Sequence, residues 1–379
     1  MENKLRVSVV FGTRPEAVKM APVIKALKER PEHFEVQVCV TAQHREMLDQ
    51  VLQVFEITPD VDLDLMLPDQ QLPQLTARIF TGLDPVLTAY RPDWLLIQGD
   101  TTTVMAAAIL GFYRQIKIGH VEAGLRTHDK WQPFPEEINR RIAGVVADLH
   151  FAPTQYNRQN LLREGVPDEI IVVTGNPAID ALHQITRQPA PPAADELLKD
   201  AGILGGTRRL VLVTAHRREN FGQPIRDICT ALKQLAHAYR DEITIVYPVH
   251  LNPNIQDPVH QILEGVDNIR LLPPLDYLPL VHLMKHASLI LTDSGGIQEE
   301  APSLGVPTLV LRERTERQEG IAAGTLKLVG TDPEIIFIEA QQLLDDPAAH
   351  AAMAGAVNPY GDGHAAERIV AALLAAKKA

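Results

Sequence analysis

The chain of 379 residues carries 36 Lys and Arg against 48 Asp and Glu, a formal net charge of −12. Such an acid surplus argues against nucleic acid or an anionic membrane as partner, since both select basic surfaces. Hydrophobic residues at 45% and charged residues at 22% exclude a disordered or fibrous chain, and the length suits two domains. The two cysteines, Cys39 and Cys229, each sit in an apolar run, which excludes a disulfide framework and points to a reducing, cytoplasmic compartment. Met1–Val10 reads as a first strand and not as a secretory signal, and no run approaches the roughly 18 apolar residues of a membrane span.

Short Val/Ile/Leu runs alternate with helical stretches, the pattern of βαβ units around a mostly parallel sheet covered on both faces. In the first half the strands are expected at Leu5–Gly12, Val36–Thr41, Trp94–Gly99, Ile116–Val121, Leu149–Ala152 and Ile170–Thr174. The second half offers Leu210–Thr214, Ile243–Pro248, Ile269–Leu272, Leu289–Thr292, Thr308–Leu311 and Leu326–Val329. Two series of this kind imply two Rossmann-like, doubly wound α/β domains in tandem. Their boundaries are expected at 1–180 and 181–363, with Gln188–Ala194 (QPAPPAA) as the most linker-like composition and a last helix over 364–379 packing back.

Open α/β sheets bind ligands outside the carboxyl ends of their strands, so the residues after each strand carry the functional question. The first strand leads into Phe11-Gly12-Thr13-Arg14-Pro15-Glu16, with Lys19 one turn on. Arg14 and Lys19 near a helix N-terminus suit an anion, or else are surface cations on a capped helix. The dinucleotide fingerprint G-x-G-x-x-G is absent there, which argues against a nicotinamide cofactor. Asp100, after Gln98-Gly99, is either the N-cap of the next helix or a carboxylate shown to a ligand. The next strand ends in His120-Val121-Glu122, where a carboxylate at the end of a buried strand needs a purpose or a partner such as Arg126. Glu136 and Arg140 open a helix and share a face, which an ordinary helix pair would also explain.

In the second half, His216 and Arg217 follow a strand, a place where an arginine suits a phosphate and a histidine titrates near neutrality. Asp293-Ser294-Gly295-Gly296 is strand, glycine turn and helix start, so Ser294, Gly295 and Gly296 offer backbone N–H groups to a phosphate. Glu300, about a turn further, suits a ribose diol, and Arg317 after the next strand supplies another cation. Together these residues describe an anionic ligand, a nucleotide diphosphate, faced by a set of carboxylates. A cleft between the two domains is its default place.

The ordered segments Phe11–Glu16 with Lys19–Pro22, Thr41–Gln50, Gly99–Thr103, His120–Arg126, Pro135–Arg140, His216–Glu219, Tyr247–Pro253 and Asp293–Leu304 resemble the non-hydrolysing UDP-N-acetylglucosamine 2-epimerases over nearly the whole chain. The resemblance implies a GT-B architecture, two Rossmann-like domains with the active site in the cleft. It implies interconversion of UDP-N-acetylglucosamine and UDP-N-acetylmannosamine for surface polysaccharide synthesis, with no cofactor and no metal. Asp100, Glu122, Glu136 and His216 match the family's catalytic positions. Arg14, Lys19, Arg140, Ser294, Gly295, Gly296, Glu300 and Arg317 match its substrate-binding positions. Arg217 joins them as a phosphate contact, and Leu275 and Leu280 stand at nucleotide-pocket positions. Gln98, where some members have His, and Gln318, where Pro is usual, depart from the pattern without removing a charged group. Gln43, Met47 and His250 lie in motifs similar to a regulatory region, which implies activation by UDP-N-acetylglucosamine itself. A homodimer is the family's usual state. A GT-B glycosyltransferase, a hydrolysing epimerase and a non-catalytic nucleotide-sugar sensor are the alternatives.

Overall fold

A computed structural model of the chain describes residues 4–41, 45–65, 67 and 70–378, without the side chains of 45–47 and 378. The backbone separates into two compact units, residues 1–181 with 360–379, and residues 182–359. Each holds one parallel sheet, and the α/β, doubly wound class read from the sequence is what the chain adopts.

In the first unit the strands are β1 (Leu5–Phe11), β2 (Phe34–Val40), β3 (Val61–Asp62), β4 (Trp94–Gln98), β5 (Lys117–Val121), β6 (Leu149–Ala152) and β7 (Ile171–Val173). They lie side by side as β3-β2-β1-β4-β5-β6-β7, every pair parallel. The chain winds outward from β1 in one direction and from β4 in the other, so the order reverses between these two. Open α/β sheets bind their ligands at such a reversal, here where Gly12 and Gly99 follow the carboxyl ends of β1 and β4. All five residues of β4 are buried, as expected for a strand covered by helices on both sides. Among the described residues the sheet has seven strands and not the expected six, because β3 is two residues long and leaves no run to read.

The second unit uses β8 (Arg209–Thr214), β9 (Ile243–Pro248), β10 (Ile269–Leu272), β11 (Ala287–Thr292), β12 (Thr308–Val310) and β13 (Leu326–Leu328). The order β10-β9-β8-β11-β12-β13 repeats the same winding, with its reversal between β8 and β11. Val211, Val213, Ile245, Leu289 and Leu291 form one continuous core with Ile228, Leu232 and Leu235 of the helix Gln223–Ala238.

Gln188–Ala194 is not a free linker. Pro192 starts a helix over Pro192–Asp200, since a proline in the first turn forfeits no helical hydrogen bond, and Ala194 and Leu198 are buried. The last helix, Ala365–Lys378, belongs to the first unit and packs on the helix Arg14–Lys28. Asp180 accepts the N–H groups of Ala365 and Ala366 at its start, at 3.1 and 2.9 Å.

Candidate functional site

At the end of β1 the chain turns through Gly12 and Thr13 into the helix Arg14–Lys28. Pro15 stands in its first turn, and Glu16 closes a capping box. The Glu16 carboxylate accepts from Gly12 N at 3.0 Å, Thr13 N at 2.7 Å and the Thr101 hydroxyl at 2.7 Å. It thereby joins the ends of β1 and β4 across the sheet reversal. Burial raises its pKa despite those donors. Two backbone N–H groups at this helix start are therefore already engaged, which narrows the anion cradle expected there. Lys19 is committed as well: its Nζ lies 2.6 and 2.7 Å from the two carboxylate oxygens of Glu122.

Glu122 stands just past β5 in the left-handed region, at φ 63°, and is 6% exposed. It takes hydrogen bonds from Gln98, from Asn176 at 3.2 Å and from Lys19, so its charge is well supplied with donors. Arg126, the alternative partner considered for it, makes a two-pronged pair with Glu164 at 2.8 and 2.7 Å. Asp100 is not the helix cap. Thr101 caps the helix Thr102–Tyr113 by accepting from Val104 N, and Asp100 Oδ2 lies 2.6 Å from Arg140. Asn139 donates to the Asp100 carbonyl at 2.9 Å, so the helix Glu136–Val146 holds Asp100 by both its backbone and its side chain.

Glu136 is the first residue of that helix and partly exposed. Its neighbour Glu137 is buried; it ties Thr127 N and His128 N to the helix start and pairs with Arg140 at 3.1 Å. Gly99, at φ 79°, links the two acids: an added Cβ would sit 3.5 Å from a Glu122 oxygen, and Asp100 is the next residue. Its N–H donates to Val121 O and its carbonyl meets His120 Nε2 at 2.8 Å. The first unit thus gathers Asp100, Glu122, Arg140 and Lys19 at one sheet reversal, each acid beside a cation.

The second unit builds a different surface at its own reversal. Beyond β8 come Ala215, His216 and Arg217, and Asp293 follows β11. Ser294 directs its N–H to the Thr292 hydroxyl at 2.9 Å, and Gly295 begins the helix Gly295–Ser303. Gly295 is required by Arg317, since an added Cβ would lie 2.9 Å from the guanidinium carbon. Around Gly296 the same construction meets no heavy atom within 4 Å. Arg317 is held by Glu299 at 2.9 Å and by Glu316 at 3.3 Å. Burial opposes ionisation of Glu316, but Arg317 and Arg312 outweigh it and hold the carboxyl at about 2. Arg312 also pairs with Glu219, joining the loop after β8 to the loop after β12.

Glu300 is buried and accepts from the Tyr277 hydroxyl at 3.1 Å. Leu275 and Leu280 are half-buried around the start of the helix Tyr277–His286. His250 stacks on His216, ring centroids 5.7 Å apart and planes at 17°. Gln43 and the Met47 side chain lie outside the described residues. Glu16, Glu137, Asp293 and Arg312 are site-building residues that the sequence reading did not single out. The available signal for Glu16 and Asp293 was their place beside the glycine turns at the two sheet reversals. Among the described residues no group of three or more His, Cys, Asp or Glu is arranged to hold a metal, and no helix is long and apolar enough to cross a membrane.

The family model for UDP-N-acetylglucosamine 2-epimerase matches residues 25–374. The UDP-N-acetylglucosamine 2-epimerase of Salmonella typhimurium is 54% identical over 371 residues, covering 97% of this chain and 98% of that protein. That of Yersinia pestis is likewise 54% identical, with the same coverage. Among solved structures, the UDP-GlcNAc 2-epimerase of Neisseria meningitidis bound to UDP-GlcNAc superposes with a TM-score of 0.91 at 47% identity, covering 98% of this chain and 100% of that one.

Proposed function

This chain belongs to the UDP-N-acetylglucosamine 2-epimerase family and is an isomerase, and on that premise we propose how its residues divide the reaction. The substrate is UDP-N-acetylglucosamine and the product UDP-N-acetylmannosamine. Carbon 2 of the sugar is not adjacent to a carbonyl, so removing its proton directly leaves a carbanion with no sink. Loss of UDP from carbon 1 supplies the sink. As a carboxylate takes the carbon 2 proton, the carbon 1–oxygen electron pair departs with UDP and a 2-acetamidoglucal forms. Elimination is anti. Syn re-addition returns UDP to carbon 1 and delivers a proton to the opposite face of carbon 2.

Two faces require two proton carriers, and the observation that carries this reading is the adjacency of Asp100 and Glu122 around Gly99. Each has a cation at 2.6 Å, which orients it between proton transfers. Glu136 is the third member or an orienting group. In the second unit, Ser294–Gly296 with Arg217, Arg317 and His216 serve the diphosphate, Glu300 the ribose, and Leu275 and Leu280 the uracil side. Arg14 and Arg140 complete the substrate contacts, with Lys19 acting through Glu122. Donors placed in advance of the departing charge lower the barrier, and UDP that remains bound makes its return effectively unimolecular.

The regulatory reading, activation by a second UDP-N-acetylglucosamine, rests on His250 through its ring contact with His216. A homodimer, a cytoplasmic location and a role in supplying surface polysaccharide precursors complete the proposal. The deciding experiment is proton NMR of the full chain with UDP-N-acetylglucosamine in heavy water. UDP-N-acetylmannosamine should appear while the carbon 2 proton signal is lost to exchange. Free N-acetylmannosamine with UDP would assign hydrolysis instead, and substrate that stays unchanged at all concentrations would refute catalysis.

A further inference from the structure

Asp293 is fully buried, and a buried carboxylate is costly unless each oxygen has a donor. One oxygen, Oδ2, accepts from His216 N at 2.8 Å, Arg217 N at 2.8 Å and Asn220 Nδ2 at 2.9 Å. Asn220 is itself buried and donates also to Leu311 O at 3.2 Å, so the loop after β8 is fastened to the neighbouring strands. Those three donors account for the loop. The other oxygen, Oδ1, makes no hydrogen bond among the described residues and lies 3.4 Å from Nδ1 of the His216 ring.

This loop sits at the sheet reversal of its unit, with Asp293 N donating to Thr214 O at 3.0 Å. The residue that orients His216 is therefore continuous with Ser294-Gly295-Gly296, the turn assigned to the diphosphate.

We propose that Asp293 is the positioning residue for His216, holding its ring with Nδ1–H toward the carboxylate and Nε2 outward, and supporting the ring's cationic form when UDP departs. This rests on the reading of His216 as catalytic. The carboxylate does not exchange a proton; it fixes which nitrogen bears one and balances the charge of the imidazolium. With Nδ1 committed, the cationic ring donates from Nε2 to the phosphate oxygen that gains the electron pair of the broken carbon 1–oxygen bond. Re-addition returns that proton, so none is consumed over the cycle.

Two measurements test the pairing. In ¹⁵N-histidine-labelled protein, with the His216 signals identified by their loss in His216→Ala, the neutral ring should carry its proton on Nδ1. Asp293→Asn should move it toward Nε2. A wild-type ring protonated on Nε2 overturns the proposal, and this readout decides the matter even if the chain fails to epimerise the nucleotide sugar. In kinetics, Asp293→Asn should lower kcat by roughly 10²- to 10⁴-fold with little change in KM. In the His216→Ala background the same substitution should add almost nothing. A purely structural Asp293 would instead cost as much in that background as in the wild type, which would refute a role through the ring.

Discussion

Lys19 and Glu122, 103 positions apart, meet as an ion pair in which the ammonium reaches both carboxylate oxygens at 2.6 and 2.7 Å. Their side chains are 13% and 5% exposed, so water screens little of the interaction. Removing one partner of such a pair leaves a buried charge uncompensated, at a cost of about 3–5 kcal/mol. Lys19→Met should therefore lower the thermal unfolding midpoint markedly, and adding Glu122→Gln should restore part of the loss. A single variant as stable as wild type would show that the pair does not support this unit.

His120 and His150 face each other in register on β5 and β6, and both are buried. Burial disfavours the charged ring, pushing His120 down to about 4 and His150 to about 3, against an ordinary value of 6.5. The unfolded chain then binds more protons below pH 6.5. The stability contributed by the neutral rings is complete above that value and is lost as pH falls toward the folded values. From pH 7 to pH 5 each ring accounts for up to about 2 kcal/mol. Among the described residues neither ring nitrogen of His150 has a hydrogen-bond partner, so His150→Leu removes one titrating site and none of the hydrogen bonds described. Thermal unfolding of that variant should depend less steeply on pH between 7 and 5. An unchanged slope would exclude His150 as a source of acid sensitivity.

The strands were legible because most are near-continuous Val/Ile/Leu runs, a pattern that burial on both faces enforces. Val61–Asp62 was not, since two residues carry no period. Pro192 read as linker composition although a proline is equally at home in a first helical turn. Side chains at the site were legible as strand-end residues but not by partner. Asp100 and Thr101 are adjacent, and sequence alone does not say which caps the helix. Lys19 looked like a phosphate ligand because its acidic partner lies far along the chain. Asp293 stood inside a motif read for its glycines, and its contact with His216 spans 77 positions. Pairings of this kind follow from strand order, which the alternation of elements does not specify.

Gly295 and Gly296 are neighbours with opposite requirements. A methyl on Gly295 meets the Arg317 guanidinium at 2.9–3.0 Å, whereas around Gly296 there is open space. Gly295→Ala should displace an arginine already held by Glu299 and Glu316, at a cost of about 1–3 kcal/mol in stability and with loss of UDP affinity. Gly296→Ala should leave stability unchanged or raise it by up to about 1 kcal/mol, from helix propensity alone. Its UDP affinity should still fall, because the methyl occupies the space assigned to phosphate. Calorimetric titration with UDP, beside thermal unfolding, separates the two. Full affinity in Gly296→Ala would move the diphosphate elsewhere.

Asp180 holds the start of the helix Ala365–Lys378 through two backbone N–H groups, an N-cap supplied from a distant part of the chain. Asp180→Ala should destabilise that helix by about 1–2 kcal/mol. Hydrogen exchange over 365–378 should accelerate while exchange in β4 and β5 stays slow. Asp180→Asn, which keeps one acceptor oxygen, should fall between. Equal exchange in all three proteins would mean that packing on the helix Arg14–Lys28 suffices to hold the segment.

Asp100 and Glu122 differ in a way that separates their contributions. Asp100 is the more accessible, at 27% side-chain exposure against 5%, and has Arg140 as its ion-pair partner. Glu122 is enclosed by Lys19, Gln98 and Asn176. Asp100→Asn keeps the shape of the side chain but removes a base, so turnover should fall by about 10²-fold or more while UDP binding holds. Glu122→Gln should lose turnover to a similar degree and also lose stability, because Lys19 is then left buried without its counter-charge. If both acids move the carbon 2 proton, one on each face, neither variant should exchange that proton with heavy water and also complete the epimerisation. A variant that exchanges the proton of UDP-N-acetylglucosamine without forming UDP-N-acetylmannosamine identifies its missing acid as the carrier on the second face. Near-normal turnover in both variants would remove the pair from the chemistry and leave Glu136 as the remaining carboxylate of the set.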